Sequence, residues 1–368
     1  MLFRVRWLTA LDLKVLEKVA DYVRYDYKFG FSVYRLNPVK AAKFGLENSV
    51  NFLSKIKVYV PENVRELISD ISRKNIDVYI TFEGQDLAIY STEEFVNAAS
   101  KGKLIVWDRK LGVWKAKPSN LHEIVKLAST MSLNVETSFN LNYSLTFKPK
   151  LQVELRSYQL EAFREWVRNN CKGIIVLPVG SGKTLVALKA IEYLAVKTVI
   201  LVPTIDLLHQ WKNVLTEKLG VSGEKIGVFG GGKREIREIT VMTYDSAYIN
   251  LEKHPIFFGL IVADEVHHAV APNYRKTFDL VTAPYRLGLT ATPFRSDGLH
   301  KYYSEVIGKI VYTLKPGELQ KKGYLAKHVE EKIYIELSRE ELEEYLKLME
   351  KYFKYCEEKI PEIKDPKE

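Results

Sequence analysis

Five short aliphatic runs constrain the chain most. They are "GIIVLP" (173–178), "TVILVP" (198–203), "EITVMTY" (238–244), "LIVADE" (260–265) and "RLGLTAT" (286–292), each bounded by Gly, Pro, Thr or Asp. The stretches between them have room for helices. Near-continuous apolar strands alternating with helices predict a parallel sheet buried on both faces. A sheet of that kind presents its ligands at the carboxyl ends of its strands. Every motif described below falls at one of those ends, within an α/β domain expected over residues 151–312.

The remainder of the 368 residues leaves space for one or two further domains. No run of about 18 apolar residues occurs, so no membrane span is expected. The N-terminus "MLFRVRWLTALDL" mixes charge into its apolar residues and has no small-residue cleavage site, so no signal peptide is read. The two cysteines, Cys171 and Cys356, lie far apart and make no disulfide framework. A reducing, intracellular compartment fits them, and a cytoplasmic protein is expected. The formal net charge is +9, and residues 1–150 hold 23 basic against 16 acidic side chains. A basic module beside a nucleotide site implies a polyanionic partner such as nucleic acid. A lysine-rich solvated surface is the plainer account of the same charge.

Residues 1–150 read as a smaller α+β domain. "MLFRVRWL" alternates like a half-buried strand, and "DLKVLEKVADYVRYDY" spaces its apolar residues like a helix. "KFGFSVYRLNP" and "KLIVWDRKLGVWKAKPS" each read as a hairpin followed by a helix, "VKAAKFGLENSV" and "NLHEIVKLASTM", a possible β–β–α repeat. Tyr25, Tyr27, Phe29, Phe31, Tyr34, Trp107 and Trp114 sit among basic residues. Aromatics on a basic sheet stack on bases, or else they fill the core. Residues 313–337 read as a linker with one strand. Residues 338–368 open with "SREELEEYLKLMEKYFKYCEEKI", a charged amphipathic helix with Ser338 as N-cap and Glu341 three residues on.

"LPVGSGKTLVAL" (177–188) carries the chemistry of the first strand end. Gly180 and Gly182 let the backbone curl so that its N–H groups, Ser181 included, point inward at phosphate, and the helix starting near Lys183 adds its positive N-terminal dipole. Lys183 can reach the β- and γ-phosphates of ATP, and the Thr184 hydroxyl can bind Mg²⁺. Leu177 stands where this loop usually has its first glycine, a position that can equally be the end of the strand. "LIVADEVHH" brings two adjacent carboxylates to the next strand end. Asp264 would hold the Mg²⁺ shell, and Glu265 would orient and deprotonate the attacking water. His267 and His268 are neighbours and present no zinc-binding face. Just upstream, "LRSYQLEAFREW" offers Gln159, whose amide could pair with an adenine edge.

Taken together, "YQ", "GSGKT", "VPTIDLLHQW", "MTYDSA", "DEVHH" and "GLTATPFRSDG" occur in the order of a superfamily 2 helicase. The likeness covers roughly residues 150–335 and most resembles the archaeal XPB-type DNA helicases. It implies a RecA-like parallel sheet with flanking helices, preceded by the smaller α+β domain. It implies a strand grip by Pro203, Thr204, Thr243, Tyr244 and Ser246, and coupling of hydrolysis to that grip through His267, Thr290, Ala291 and Thr292. Threonine hydroxyls at strand ends suit phosphate contacts that read no base identity. The family's Arg-Glu-Asp triplet, implicated in DNA opening, appears here as Arg295-Ser296-Asp297, with the middle acid replaced. ATP-driven sliding on a duplex is therefore a safer expectation than strand separation.

The family resemblance further implies a damage-recognition role on duplex and single-stranded DNA for residues 1–150, a helical thumb beginning in residues 338–368, a repair setting and a Bax1-type nuclease partner. It implies nothing about oligomeric state. No "QRxGRxxR"-like run of the second core domain occurs in the sequence. These 368 residues are thus expected to bind ATP weakly and turn it over slowly, because an arginine finger supplies about 10³–10⁵ in rate. Two other functions use the same residues: the motor of a restriction or UvsW-like branch-migration system, and an ATP-gated DNA-binding module without motor activity.

Overall fold

The computed structural model describes residues 1–251, 257–324 and 337–359. The chain divides into two compact units, residues 1–325 and 326–368.

In chain order the first unit opens with β1 (Leu2–Val5), α1 (Ala10–Leu16), β2 (Ala20–Asp26), β3 (Phe31–Leu36), α2 (Pro38–Phe44), α3 (Leu46–Lys55) and α4 (Glu62–Arg73). There follow β4 (Val78–Glu83), β5 (Asp86–Ser91), α5 (Glu93–Lys101), β6 (Val106–Asp108), β7 (Val113–Ala116), α6 (Leu121–Thr130) and β8 (Val135–Thr137). They make two small sheets, ordered β1-β3-β2 and β6-β7-β5-β4-β8. A hairpin followed by a helix occurs three times, after β3, β5 and β7. Two of these match the expected hairpins; the third, β4–β5, was not expected, although Gly84, at φ +67°, marks its two-residue turn.

One expectation fails here. The helical spacing over residues 12–27 ends at Leu16, and Ala20–Asp26 is a strand. Tyr22, Val23 and Tyr25 favour a pleated surface, and β2 pairs antiparallel with β3 along its length. The aromatic residues split between the two roles considered. Phe31 and Tyr34 are buried, whereas Tyr25, Tyr27 and Phe29 stay exposed. Trp107 and Trp114 pair across β6 and β7 with ring centres 5.3 Å apart.

The larger sheet runs from α7 (Ser157–Arg168) and β9 (Lys172–Val176) through α8 (Lys183–Leu194), β10 (Thr198–Val202), α9 (Ile205–Leu219), β11 (Ile226–Gly230) and β12 (Lys233–Arg234). It continues with β13 (Ile239–Thr243), α10 (Tyr244–Asn250), β14 (Leu260–Asp264), α11 (Pro272–Leu280) and β15 (Tyr285–Thr290), and closes with α12 (Tyr303–Val306), β16 (Ile310–Thr313) and α13 (Pro316–Lys321). All five aliphatic runs are strands. Strand order is β12-β11-β13-β10-β14-β15-β9-β16, parallel except for the short β12. Alternate residues of each strand face opposite sides. Ile175, Ile200, Val262 and Leu287 pack with α7, α8 and α9, while Ile174, Val199, Ile261 and Met242 pack with Tyr244, Phe278 and Tyr303. The result is a sheet cored on both faces, a fold class of RecA-like α/β type. Gly173, at φ +142°, lets β16 pass close: a Cβ there would lie 2.5 Å from the Val311 side chain.

Ion pairs join the small sheets to the large one. Lys117 Nζ lies 2.7 Å from Asp279 on α11, and Lys172 Nζ 3.3 Å from Glu123 on α6. Phe82, Phe139 and Phe257 form an aromatic cluster at the same junction.

In the second unit, α14 (Arg339–Lys359) is capped as its sequence suggests: Ser338 N–H donates to Glu341 Oε2 at 2.9 Å, and Glu341 N–H to Ser338 Oγ at 3.3 Å. The strand expected before it falls in residues 325–336, and the chain end falls in 360–368; both lie outside the described residues. Among the described residues, no helix is long and apolar enough to cross a membrane.

Candidate nucleotide site

The strand order sets five chain reversals along one edge, at the carboxyl ends of β13, β10, β14, β15 and β9. Leu177 answers the question of the missing first glycine. It is fully buried, its N–H donates to Thr290 O at 3.0 Å, and its carbonyl accepts from Lys183 Nζ at 3.4 Å. The position extends the strand, so no glycine is needed. The turn proper begins after Pro178. Gly180 and Gly182 take left-handed backbone angles, φ +75° and +76°. A Cβ on Gly182 would lie 2.6 Å from Gln159 Nε2. Ser181 is buried and turns inward, its hydroxyl donating to Pro178 O at 2.6 Å and its N–H to the same carbonyl at 3.3 Å.

Gln159 lies beneath this turn. Its Nε2 donates to Ser181 O at 2.8 Å, and its Oε1 accepts Arg156 N–H at 2.9 Å. Tyr158 OH donates to the same carbonyl at 2.7 Å. Both ends of the Gln159 amide are engaged and the side chain is buried, so the adenine contact expected of it is replaced by a bracing role.

Lys183 and Thr184 open α8. The lysine ammonium, largely buried, stands 3.7 Å from Glu265 Oε1. Glu265 itself has left-handed backbone angles, φ 47° and ψ 59°, unusual for a residue with a side chain and costing on the order of 1–3 kcal/mol. That strain delivers its carboxylate to the loop side while its N–H donates to Asp264 Oδ1 at 3.0 Å. Asp264 is buried; burial pushes its carboxyl above the ordinary range, opposed by a hydrogen bond from Trp211. That bond runs from the indole Nε1 to Asp264 Oδ2 at 2.8 Å.

His267 Nδ1 is 3.5 Å from Glu265 Oε2 and 3.4 Å from Thr290 Oγ1. Burial lowers the His267 pKa, which favours the neutral ring. Thr290 Oγ1 also lies 3.4 Å from Glu265 Oε2 and accepts Thr292 N–H at 3.1 Å. The structure thus brings Lys183, Glu265, His267 and Thr290 into one chain of contacts. Thr292 is exposed and Ala291 half-buried at the edge.

Of the expected strand-gripping residues, Thr204 is exposed and caps α9, accepting Leu207 N–H at 3.3 Å while its proton stays available. Pro203 and Ser246 are half-buried beside it. Thr243 is buried and spends its proton on Ser246 Oγ at 2.8 Å. Tyr244 cannot serve as expected. Its ring is fully buried, and its hydroxyl donates to Asp264 O at 3.0 Å. It braces the acidic turn from below. Arg295 and Asp297 form a bidentate pair, with the guanidinium also donating to His267 O. This pairing holds the Asp297 carboxyl down to about 2.

Hard oxygen donors from Thr184 and Asp264 suit a Mg²⁺ that keeps several waters and takes its other ligands from phosphate. The left-handed glycine turn leads straight into α8, which sets Lys183 at its entrance 3.7 Å from the acidic turn. The residues present therefore fit a magnesium–nucleotide.

Sequence reasoning missed Trp211 and Tyr158. Trp211 follows Leu208 and precedes Leu215 at helical spacing, so it reads as core, and nothing in that pattern reveals where its N–H points.

Comparison with known proteins places this geometry in context. A family model described as the type III restriction enzyme res subunit matches residues 152–295. The DNA 3′-5′ translocase XPB2 of Sulfurisphaera tokodaii is 42% identical over 240 residues, 65% of this chain and 53% of that protein. The DNA 3′-5′ helicase XPB of Mycobacterium tuberculosis is 37% identical over 182 residues, 47% of this chain and 33% of that protein. This chain thus spans about half or less of these relatives' length. The crystal structure of the UvsW helicase from bacteriophage T4 aligns with 64% of this chain and 100% of that one, at 18% identity and a TM-score of 0.39.

Proposed function

We propose, for a chain that belongs to the XPB-type superfamily 2 helicases, that the cradle at Lys183 takes up Mg²⁺–ATP and that its cleavage drives translocation on DNA. The observation that carries this reading is the contact chain Lys183–Glu265–His267–Thr290. It joins the phosphate loop, the acidic turn and the next strand end over single contacts of 3.4–3.7 Å.

In this mechanism the loop N–H groups and Lys183 bind and orient the β- and γ-phosphates. Thr184 and Asp264 would hold a magnesium ion, which would supply charge neutralisation on the phosphate oxygens. Glu265 orients the attacking water and accepts its proton at a carboxylate oxygen. When phosphate draws Lys183 away, Glu265 remains tied to His267 and Thr290, so a change at the γ-phosphate side is felt at the edge carrying Thr292 and Arg295. Thr204 and Ser246 keep hydroxyl protons available there for backbone phosphates.

The domains follow from this. Residues 1–150 form the basic DNA-contact module and 338–368 the start of a thumb; the first core domain, expected over 151–312, extends through β16 and α13, whose Leu314 and Leu319 are buried in its core, so residues 313–321 are not the linker expected there. The 42% identity to an XPB2 translocase favours this reading over a restriction motor, despite the family model's name. Strand opening, a nuclease partner and a repair setting are part of the proposal for the whole protein.

The test is nucleotide uptake by the 368-residue chain, read with a fluorescent ATP analogue in the presence and absence of Mg²⁺. Uptake that magnesium strengthens and that disappears in Lys183→Ala is expected. Equal binding by the two proteins, or none by either, would refute the site.

A further inference from the structure

Asp264 is a carboxylate in a largely apolar place. An acid so buried turns to whatever donors it finds, and its direction is set by them. Here Oδ1 takes the Glu265 N–H and Oδ2 takes the Trp211 indole N–H at 2.8 Å. Trp211 is itself 2% exposed and packed in the core on the buried face of α9. An indole is only a donor, so it fixes the acceptor face of a carboxylate without contributing charge. Each carboxylate oxygen keeps a second lone pair, so the acid remains able to take a cation or its water.

The helix bearing this indole begins at the exposed edge. Thr204 caps α9, and Trp211 lies two turns along, about 10 Å at 1.5 Å per residue. One rigid element therefore carries an edge hydroxyl at its start and the orienting donor of the acidic turn further on.

We propose that Trp211 is a positioning residue: its indole holds Asp264 in the orientation that receives magnesium. This rests on the nucleotide site proposed above. Partners of a metal ligand matter on the scale of about 10–100-fold in metal affinity when removed.

The experiment uses the full chain with a fluorescent ADP analogue, titrating Mg²⁺ at fixed nucleotide. Trp211→Phe keeps the ring and removes the donor. The expected result is a Mg²⁺ midpoint raised by about 10–100-fold, with nucleotide uptake in EDTA unchanged because Lys183 and the loop amides are untouched. A purely packing role would weaken both alike. Should Trp211→Phe not fold, the unmutated chain is labelled with ¹⁵N-tryptophan. One slowly exchanging indole signal should move on adding Mg²⁺ with nucleotide and stay in place with nucleotide in EDTA. Unmutated chain that binds Mg²⁺–nucleotide, with an unshifted midpoint in Trp211→Phe or with no indole responding, would overturn the inference alone. Unmutated chain that takes up no nucleotide would overturn the site and this inference together.

Discussion

Replacing Gly182 by alanine tests the architecture of the phosphate loop most directly. Two costs are separable in the structure. The residue has φ +76°, and holding an L-residue in that left-handed region costs about 1–2 kcal/mol. The new Cβ also lands 2.6 Å from Gln159 Nε2. A surface glutamine would swing aside at little cost. Gln159 is buried and holds Ser181 O and Arg156 N–H, so moving it disrupts buried hydrogen bonds at about 1–3 kcal/mol. Ser181 O keeps Tyr158 OH, which places this second cost toward its lower end. The total, about 2–5 kcal/mol, is a large fraction of a typical domain's net stability of roughly 5–15 kcal/mol. Urea unfolding would measure it in a cycle with Gln159→Ala. In that background the collision is gone, and Gly182→Ala should cost only the backbone part, leaving a coupling of about 1–3 kcal/mol. Equal cost of Gly182→Ala in both backgrounds would show that Gln159 does not brace the loop.

Tyr244→Phe should lower stability by about 0.5–1.5 kcal/mol through loss of the bond to Asp264 O, with duplex affinity unchanged; a selective loss of DNA binding would restore Tyr244 to the grip. Tyr274 donates to Asp245, and this bond raises its pKa to about 12. A phenol with a raised folded pKa lends stability that is complete below its unfolded value near 10 and is lost as pH climbs toward about 12. Unfolding followed by circular dichroism between those values should show a shallower pH slope in Tyr274→Phe. The Lys117–Asp279 pair is half exposed, and Lys117→Ala should change the unfolding free energy by no more than about 1 kcal/mol.

The parallel sheet was legible because its strands are buried on both faces, which writes each one as an unbroken aliphatic run. Residues 12–27 were misread for the opposite reason. A short helix and a half-exposed strand abut there, and Leu16, Val19, Ala20 and Val23 happen to keep helical spacing across the junction. At the site, the charged residues announced themselves by type and position: Lys183, Asp264 and Glu265 stand where phosphate chemistry needs them. The uncharged braces did not. Gln159 and Tyr244 could be assigned to ligands because their side chains are polar, but the depth of α7 and α10 in the fold turns both inward. Trp211 gave no signal, since an indole filling a core and an indole orienting a carboxylate are written with the same letter.

These braces share a physical property that explains their chemistry. Tyr158, Gln159, Trp211 and Tyr244 donate hydrogen bonds without carrying charge, and each holds a backbone carbonyl or carboxylate at the loop or the acidic turn. A lysine or arginine in the place of Trp211 would orient Asp264 equally well. It would also cancel the negative charge that a divalent cation needs, in surroundings where little solvent screens the pair. A neutral donor fixes direction and leaves the charge intact. The cationic contact that does exist, Lys183 to Glu265, is long at 3.7 Å, so a phosphate arriving in the cradle competes with it on favourable terms. Rigid neutral supports beneath and one loose ionic contact above are what a site requires if it is to keep its shape while exchanging a highly charged ligand.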